Sequence, residues 1–157
     1  LELAEIFDPR ACVTGVRAAG KAAALRLAAQ HLARRLRLLP GAAPGPGAIE
    51  AALAAREALG STGFGGGIAV PHARLAGVPR MVGAVLKLER PVAFGSFDGA
   101  PVWILVALAG PEGGGAAHLK AMARIARTLR SEGARLLGAG DGPALFALMT
   151  GGAGDGG

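Results

Sequence analysis

Val102-Trp-Ile-Leu-Val-Ala-Leu108 carries no charged or hydroxyl side chain at any position. A run of that length, rich in β-branched residues and bounded by turn signals, is a strand, and apolarity at every position implies burial on both faces of a sheet. Helices must therefore cover it. The turn Phe97-Asp-Gly-Ala-Pro101 introduces the run, and the loop Gly110-Pro-Glu-Gly-Gly-Gly-Ala-Ala117 leaves it. Upstream, Met81 to Leu88 has the composition of a second strand, and Ile68-Ala-Val70 that of a third, which ends at Pro71-His72.

The covering helices announce themselves by period. From Lys21 to Leu39, apolar residues recur at Leu25, Ala28, Leu32, Leu36 and Leu39, with Arg26, Gln30, Arg34 and Arg37 turned away. Pro40 stops that helix, and Pro40-Gly-Ala-Ala-Pro-Gly-Pro-Gly47 is an exposed linker. Ala48 to Leu59 forms a second helix with Ile49, Ala52 and Leu53 inward and Gly60 as its stop. His118 opens a third, whose buried stripe is expected at Leu119, Met122, Ile125 or Ala126, and Leu129. A short last helix covers Pro143 to Met149. These elements give an α/β fold, a single-domain sandwich over residues 1–150 with a central mixed β-sheet covered by helices. Residues 151–157 form a Gly-rich tail, disordered by composition.

Composition narrows the function classes. The 157 residues are 52% hydrophobic and only 4% aromatic, with no Tyr and one Trp, so base stacking has little to work with. Seventeen Lys and Arg against eleven Asp and Glu give a formal +6. The arginines, including Arg34, Arg35, Arg37, Arg124 and Arg127, are spread singly over helical patterns, as on a solvated basic face. Nucleic acid is accordingly not expected as a partner. The lone Cys12 excludes an intramolecular disulfide and a Cys-rich zinc cluster, and suits a reducing cytoplasm. No apolar run approaches the ~18 residues of a membrane helix, and the acidic start at Glu2 and Glu5 is unlike a signal peptide, so a cytoplasmic protein without direct membrane insertion is expected.

The Gly-rich segment Ser61-Thr-Gly-Phe-Gly-Gly-Gly67 fails three tests letter by letter. A Walker A loop needs Lys-Ser/Thr after Gly65, where Gly66 and Gly67 stand; a dinucleotide fingerprint from Gly63 needs glycine at Ile68; a hydrolase elbow on Ser61 needs glycine at Leu59. What remains is a loop of small residues beside His72, whose backbone N–H groups suit an anion as well as its glycines suit a tight turn. Ser61 and Thr62 add hydroxyls, and Arg56 on the preceding helix offers a guanidinium fork.

Of three histidines, His31 sits inside an amphipathic helix, whereas His72 and His118 stand at element ends, where functional side chains are usually presented. Neither has Cys or acidic neighbours at ligand spacing, so no metal is expected. A neutral imidazole is a good nucleophile toward phosphorus, and a second can donate to the phosphoryl oxygens. With arginine and loop amides nearby, transfer from another phosphoprotein would need no nucleotide, metal or other cofactor.

Arg56-Glu-Ala-Leu-Gly-Ser-Thr-Gly-Phe-Gly-Gly-Gly-Ile-Ala-Val-Pro-His-Ala-Arg74 resembles the active-site signature of fructose/mannitol-type and nitrogen-regulatory enzyme IIA domains of the bacterial phosphotransferase system. Phe94-Gly-Ser-Phe-Asp-Gly-Ala-Pro-Val102 and His118-Leu119 resemble two further stretches of that family in the same order. Where its members often carry acidic residues, near positions 95 and 103, this chain has Gly95 and Trp103. The resemblance implies that His72 is the phosphorylated residue, His118 its phosphoryl-stabilising partner, and Arg56 with Ser61, Thr62 and Gly63 the phosphoryl-binding group. Glu57 is expected to fix its helix or Arg56. It also implies an HPr-like phosphocarrier as donor, and as acceptor a IIB domain or a regulated target. A chain with no fused IIB-like or membrane segment points to the nitrogen-regulatory branch. The alternatives are a sugar-specific IIA component and a non-catalytic regulatory binding module.

Overall fold

The computed structural model describes residues 2–151, so the tail expected over 151–157 lies, but for Gly151, outside the described residues. A 3-10 turn at Leu3–Glu5 leads into β1 (Phe7–Val16), α1 (Lys21–Arg37) and α2 (Pro46–Ala58). Three short strands follow, β2 (Gly63–Gly65), β3 (Ile68–Ala69) and β4 (His72–Leu75), then two long ones, β5 (Val82–Val92) and β6 (Val102–Pro111), and finally α3 (Gly115–Leu137) and α4 (Gly142–Met149).

The apolar run lies where its composition requires. β6 pairs antiparallel with β5 on one side and parallel with both β3 and β4 on the other. The path of the mixed sheet is β1-β5-β6-β3-β2, with β4 beside β6. From Ile104 to Ala109 the strand is completely buried, while Trp103, at its entry, is 38% exposed. The core divides at the sheet. On one face α1 and α2 pack through Leu32, Leu36, Ile49 and Leu53 against Leu86 and Leu105. On the other, α3 and α4 pack through Ile125, Leu129 and Leu145 against Val85, Ile104 and Val106. Period-2 alternation along β5 and β6 sends successive side chains to the two layers.

Several expectations need correction. β1 had no counterpart in the sequence reading; among the described residues it pairs only with β5, with irregular register, and tolerates Asp8, Pro9 and Arg10 because its other edge carries no ladder bonds to them. α3 begins at Gly115, three residues earlier than expected, and its buried positions are Ala121, Ile125, Leu129 and Leu136. Leu119 is 71% exposed, because the helix turns Ala121 instead toward the sheet. Arg35 is not on a solvated face: it is buried at 8% exposure, reaching back over β1 to the carbonyl of Ile6 (Nη2 to O, 3.2 Å).

His72 begins a strand instead of ending one. β3 and β4 run along the same side of β6, with Ile68 and Ala69 opposite Ile104 and Leu105, and His72 opposite Leu108. Between them Pro71 has no N–H to give, and its carbonyl accepts from Leu108 N at 2.9 Å. The interruption resets the strand just where the histidine emerges. Since Ala73 packs with α1 and α2, its neighbour His72 belongs to the opposite face, that of α3.

Candidate functional site: two histidines over a braced loop

The ring of His72 faces that of His118, in the first turn of α3, with centroids 6.0 Å apart and planes at 41°. His72 Nδ1 lies 2.8 Å from the carbonyl oxygen of Val70. A carbonyl only accepts, so Nδ1 carries the proton and Nε2 keeps its lone pair. The ring is half-buried and opens onto two adjoining depressions. One, of about 230 Å³, brings His72 together with Arg56, Ser61, Thr62 and Gly63; the other, of about 430 Å³, brings it together with Arg56, Arg74 and His118. All six residues singled out in the sequence therefore border one or both of two depressions that meet at Arg56 and His72.

Their roles there differ. Arg56 Nη1 donates to the carbonyl of Gly60 at 2.8 Å, which draws the guanidinium over the loop and away from its own helix. Thr62 is buried: its N–H donates to Glu57 Oε2 at 2.8 Å and its hydroxyl to Glu57 Oε1 at 2.6 Å. Ser61 Oγ donates to the carbonyl of Phe94 at 2.8 Å and accepts from Gly63 N at 3.0 Å. Both hydroxyls thus give their protons to protein acceptors and act on the shape of the loop. The following glycines serve the β2–β3 turn, where Gly65, Gly66 and Gly67 have φ of 100°, 66° and 86°, a region that costs other residues energy. Gly66 N donates to Asp98 Oδ2 at 2.9 Å. The turn-forming role thus falls to the second half of the segment, while in the first half the N–H groups of Thr62 and Gly63 are spent on Glu57 and Ser61.

Two residues complete the brace that sequence reasoning did not assemble. Glu57 holds Thr62 and not Arg56, and its Oε2 also lies 2.8 Å from Lys21 Nζ, at the start of α1. Lys21 in turn donates to the carbonyl of Phe94 at 2.9 Å and sits 4.7 Å from the centre of the Phe94 ring. One cation so joins both anchors of the loop, the Glu57 carboxylate that holds Thr62 and the Phe94 carbonyl that holds Ser61. Nothing local in the sequence signals a contact between residues 36 positions apart. Arg74 was visible only as the last letter of the motif.

His118 sits in a different electrostatic setting. Burial depresses its pKa below 6.5, and the cationic Arg74 and the His72 ring add to the effect. Its Nδ1 is enclosed without a hydrogen-bond partner among the described residues, and a Cβ added at Gly110 would stand 3.8 Å from it. The neutral form is therefore favoured until an anion arrives beside it. Among the described residues no three His, Cys, Asp or Glu side chains group as a metal ion would require.

Residues 5–148 match the family model described as "Phosphoenolpyruvate-dependent sugar phosphotransferase system, EIIA 2". The chain is 35% identical over 152 residues to the nitrogen regulatory protein of Bradyrhizobium diazoefficiens, covering 96% of this chain and 95% of that one. Its fold superimposes on the crystal structure of the nitrogen regulatory protein IIA-Ntr from Neisseria meningitidis with a TM-score of 0.85 and 29% identity, over 94% of this chain and 99% of the other. The complex of enzyme IIAMTL and phosphorylated enzyme IIBMTL from Escherichia coli shares the fold at a TM-score of 0.71 and 22% identity, over 93% and 99%.

Proposed function

Because this chain belongs to the EIIA 2 family of the phosphoenolpyruvate-dependent sugar phosphotransferase system, among relatives that are nitrogen regulatory proteins, we propose that it carries its phosphoryl group on Nε2 of His72. The observation that carries this reading is the 2.8 Å contact from Nδ1 to the Val70 carbonyl, which commits the ring to one tautomer and leaves Nε2 as the nucleophile over the hollow.

In the transfer, the Nε2 lone pair forms a P–N bond while the donor's own P–N bond breaks, and the donor imidazole departs with the electron pair. The phosphorylated ring of His72 keeps its Nδ1 proton, so the ring charge that develops is met by the Val70 carbonyl. The phosphoryl oxygens gain the Arg56 guanidinium and the His118 ring. Since His118 Nδ1 is enclosed, Nε2–H is the donor it can offer. The loop braced by Glu57 and Lys21 presets the hollow, so little reorganisation is needed as charge arrives.

The donor is an HPr-like phosphoprotein, and the acceptor or regulated partner a IIB domain or a target protein that distinguishes the two phosphorylation states. A cytoplasmic setting fits that exchange, and no helix of the described residues is long and apolar enough to cross a membrane. The test is transfer from phosphoenolpyruvate through enzyme I and an HPr-type protein, read by intact mass and acid lability. Wild type should gain one acid-labile phosphate, His72→Ala none, and His118→Ala should accept or pass it on poorly. Label on His72→Ala would overturn the assignment.

A further inference from the structure

A second concavity lies away from His72, where the C-terminal half of α1 passes the start of β1. It holds about 330 Å³ and is lined by Asp8, Arg10, His31, Arg34, Arg35 and Arg37. That volume is within the ~300–1,000 Å³ of small-molecule sites. Positions 31, 34 and 35 recur at helical spacing and so share one face of α1.

Two of the four guanidiniums in this hollow, Arg34 and Arg37, have no acidic partner among the described residues. The hollow's one carboxylate, Asp8, is taken up by Arg10, which donates Nε at 3.0 Å and Nη2 at 3.1 Å. Arg35 stands 3.8 Å from the same carboxylate, beyond hydrogen-bond length. Arg34 and Arg37 are both exposed. His31 spends Nδ1 on the carbonyl of Leu27 at 3.0 Å, which leaves Nε2.

Arg35 supplies the second, independent observation. Its side chain is 9% exposed, yet its Nε has no hydrogen-bond partner among the described residues. Burying a guanidinium with an idle donor beside other cations is costly, because a cation is held out of water with a donor unmet. An anion in the hollow would offset that cost by its charge, since the Nε itself is enclosed, and planar guanidinium forks match phosphate oxygens two at a time.

We propose that the hollow between α1 and the start of β1 binds a small, multiply charged phosphate of the di- or triphosphate class, held by Arg34, Arg35 and Arg37. Several guanidiniums converging on one concavity fit concentrated charge better than a single carboxylate. A small ligand is favoured over a nucleic-acid strand because the charge gathers in one concavity of about 330 Å³, and the only Trp, Trp103, stands on β6 outside it. The site is distinct from the phosphoryl hollow: Arg35 and Lys21 lie on one helix roughly 20 Å apart at 1.5 Å per residue. The proposal does not depend on phosphoryl transfer at His72.

Calorimetric titration of the full chain with inorganic tripolyphosphate, pyrophosphate and orthophosphate, at physiological ionic strength, tests it. The expected result is saturable one-to-one binding that weakens in that order. The double variant Arg34→Gln/Arg37→Gln, altered only at exposed side chains and checked for folding by circular dichroism, should bind tripolyphosphate at least about tenfold more weakly, as the loss of charge-assisted contacts implies. Arg56→Gln should bind as wild type does. Absence of saturable binding, equal affinity in the double variant, loss in Arg56→Gln instead, or displacement of tripolyphosphate by a lower concentration of single-stranded oligonucleotide would each overturn the proposal.

Discussion

Glu57 receives three donors on one carboxylate, the N–H and hydroxyl of Thr62 and the ammonium of Lys21, while remaining buried. Glu57→Gln keeps the shape but removes the charge, and one of its oxygens becomes a donor facing donors. The expected cost is ~1–3 kcal/mol, the range for charge-assisted hydrogen bonds and unsatisfied buried groups, read by urea unfolding. The initial rate of phosphoryl acceptance should fall as well, since the loop it braces borders His72. A loss of stability with an unchanged rate would confine Glu57 to packing. His118 gives a pH signature. Its folded pKa lies below the ordinary 6.5, so on acidification through that value the unfolded chain takes up a proton the folded one refuses, and stability falls as pH falls. His118→Gln should flatten that slope in thermal melts between neutral and mildly acidic pH. Phosphorylation at His72 should raise the His118 pKa, visible in its imidazole nitrogen shifts. Both histidines could be found in the sequence because the signal was local, one after Pro71 at a strand boundary and one at a helix start. The Lys21–Glu57–Thr62 brace could not, because its members meet only when α1 docks on α2.

Among the elements, close backbone approaches separate structure from function. A Cβ at Gly142 would stand 2.1 Å from the carbonyl oxygen of Cys12, a backbone atom that cannot move aside, so Gly142→Ala must lift the start of α4 off β1. We expect a loss of ~1–3 kcal/mol, as for other overpacked contacts, with phosphoryl acceptance intact at temperatures where the protein stays folded. A Cβ at Gly63 would stand 2.1 Å from Ser96 Oγ and 2.7 Å from Ser96 Cβ. Gly63→Ala should therefore displace the loop beside His72, and here the acceptance rate should drop more than the melting temperature. Equal effects of the two variants on rate would refute the division. Helix periods made α1, α2 and α4 legible to within a few residues, since each buries one stripe. β1 escaped because Asp8-Pro-Arg10 interrupts its alternation, and only an edge position makes that sequence a strand. The break between β3 and β4 was half legible: Pro71 signalled an interruption, but not that the chain resumes along the same neighbour.

For the molecule as a whole, the sheet separates two apolar layers that share its strands but not their side chains. Leu36 in α1 belongs to one layer and Leu145 in α4 to the other, and both are completely buried. The layered architecture was legible from the apolar run of β6, which demands cover on both faces. The strand order was not, because pairing is non-local and β1 joins β5 across α1 and α2. That order has an energetic consequence: every helix packs on strands that also support the opposite layer, so neither layer has a sheet of its own. Leu36→Ala and Leu145→Ala should each cost ~2–5 kcal/mol, the range for a leucine cavity. Lying on opposite faces, they should add within about 0.5 kcal/mol in the double variant. Unfolding followed by far-ultraviolet circular dichroism and by Trp103 fluorescence should still give one coincident transition. If the two signals part in Leu145→Ala, the α3–α4 layer melts by itself, and the brace on the α1–α2 side would hold the phosphoryl loop even after His118 has been lost from it.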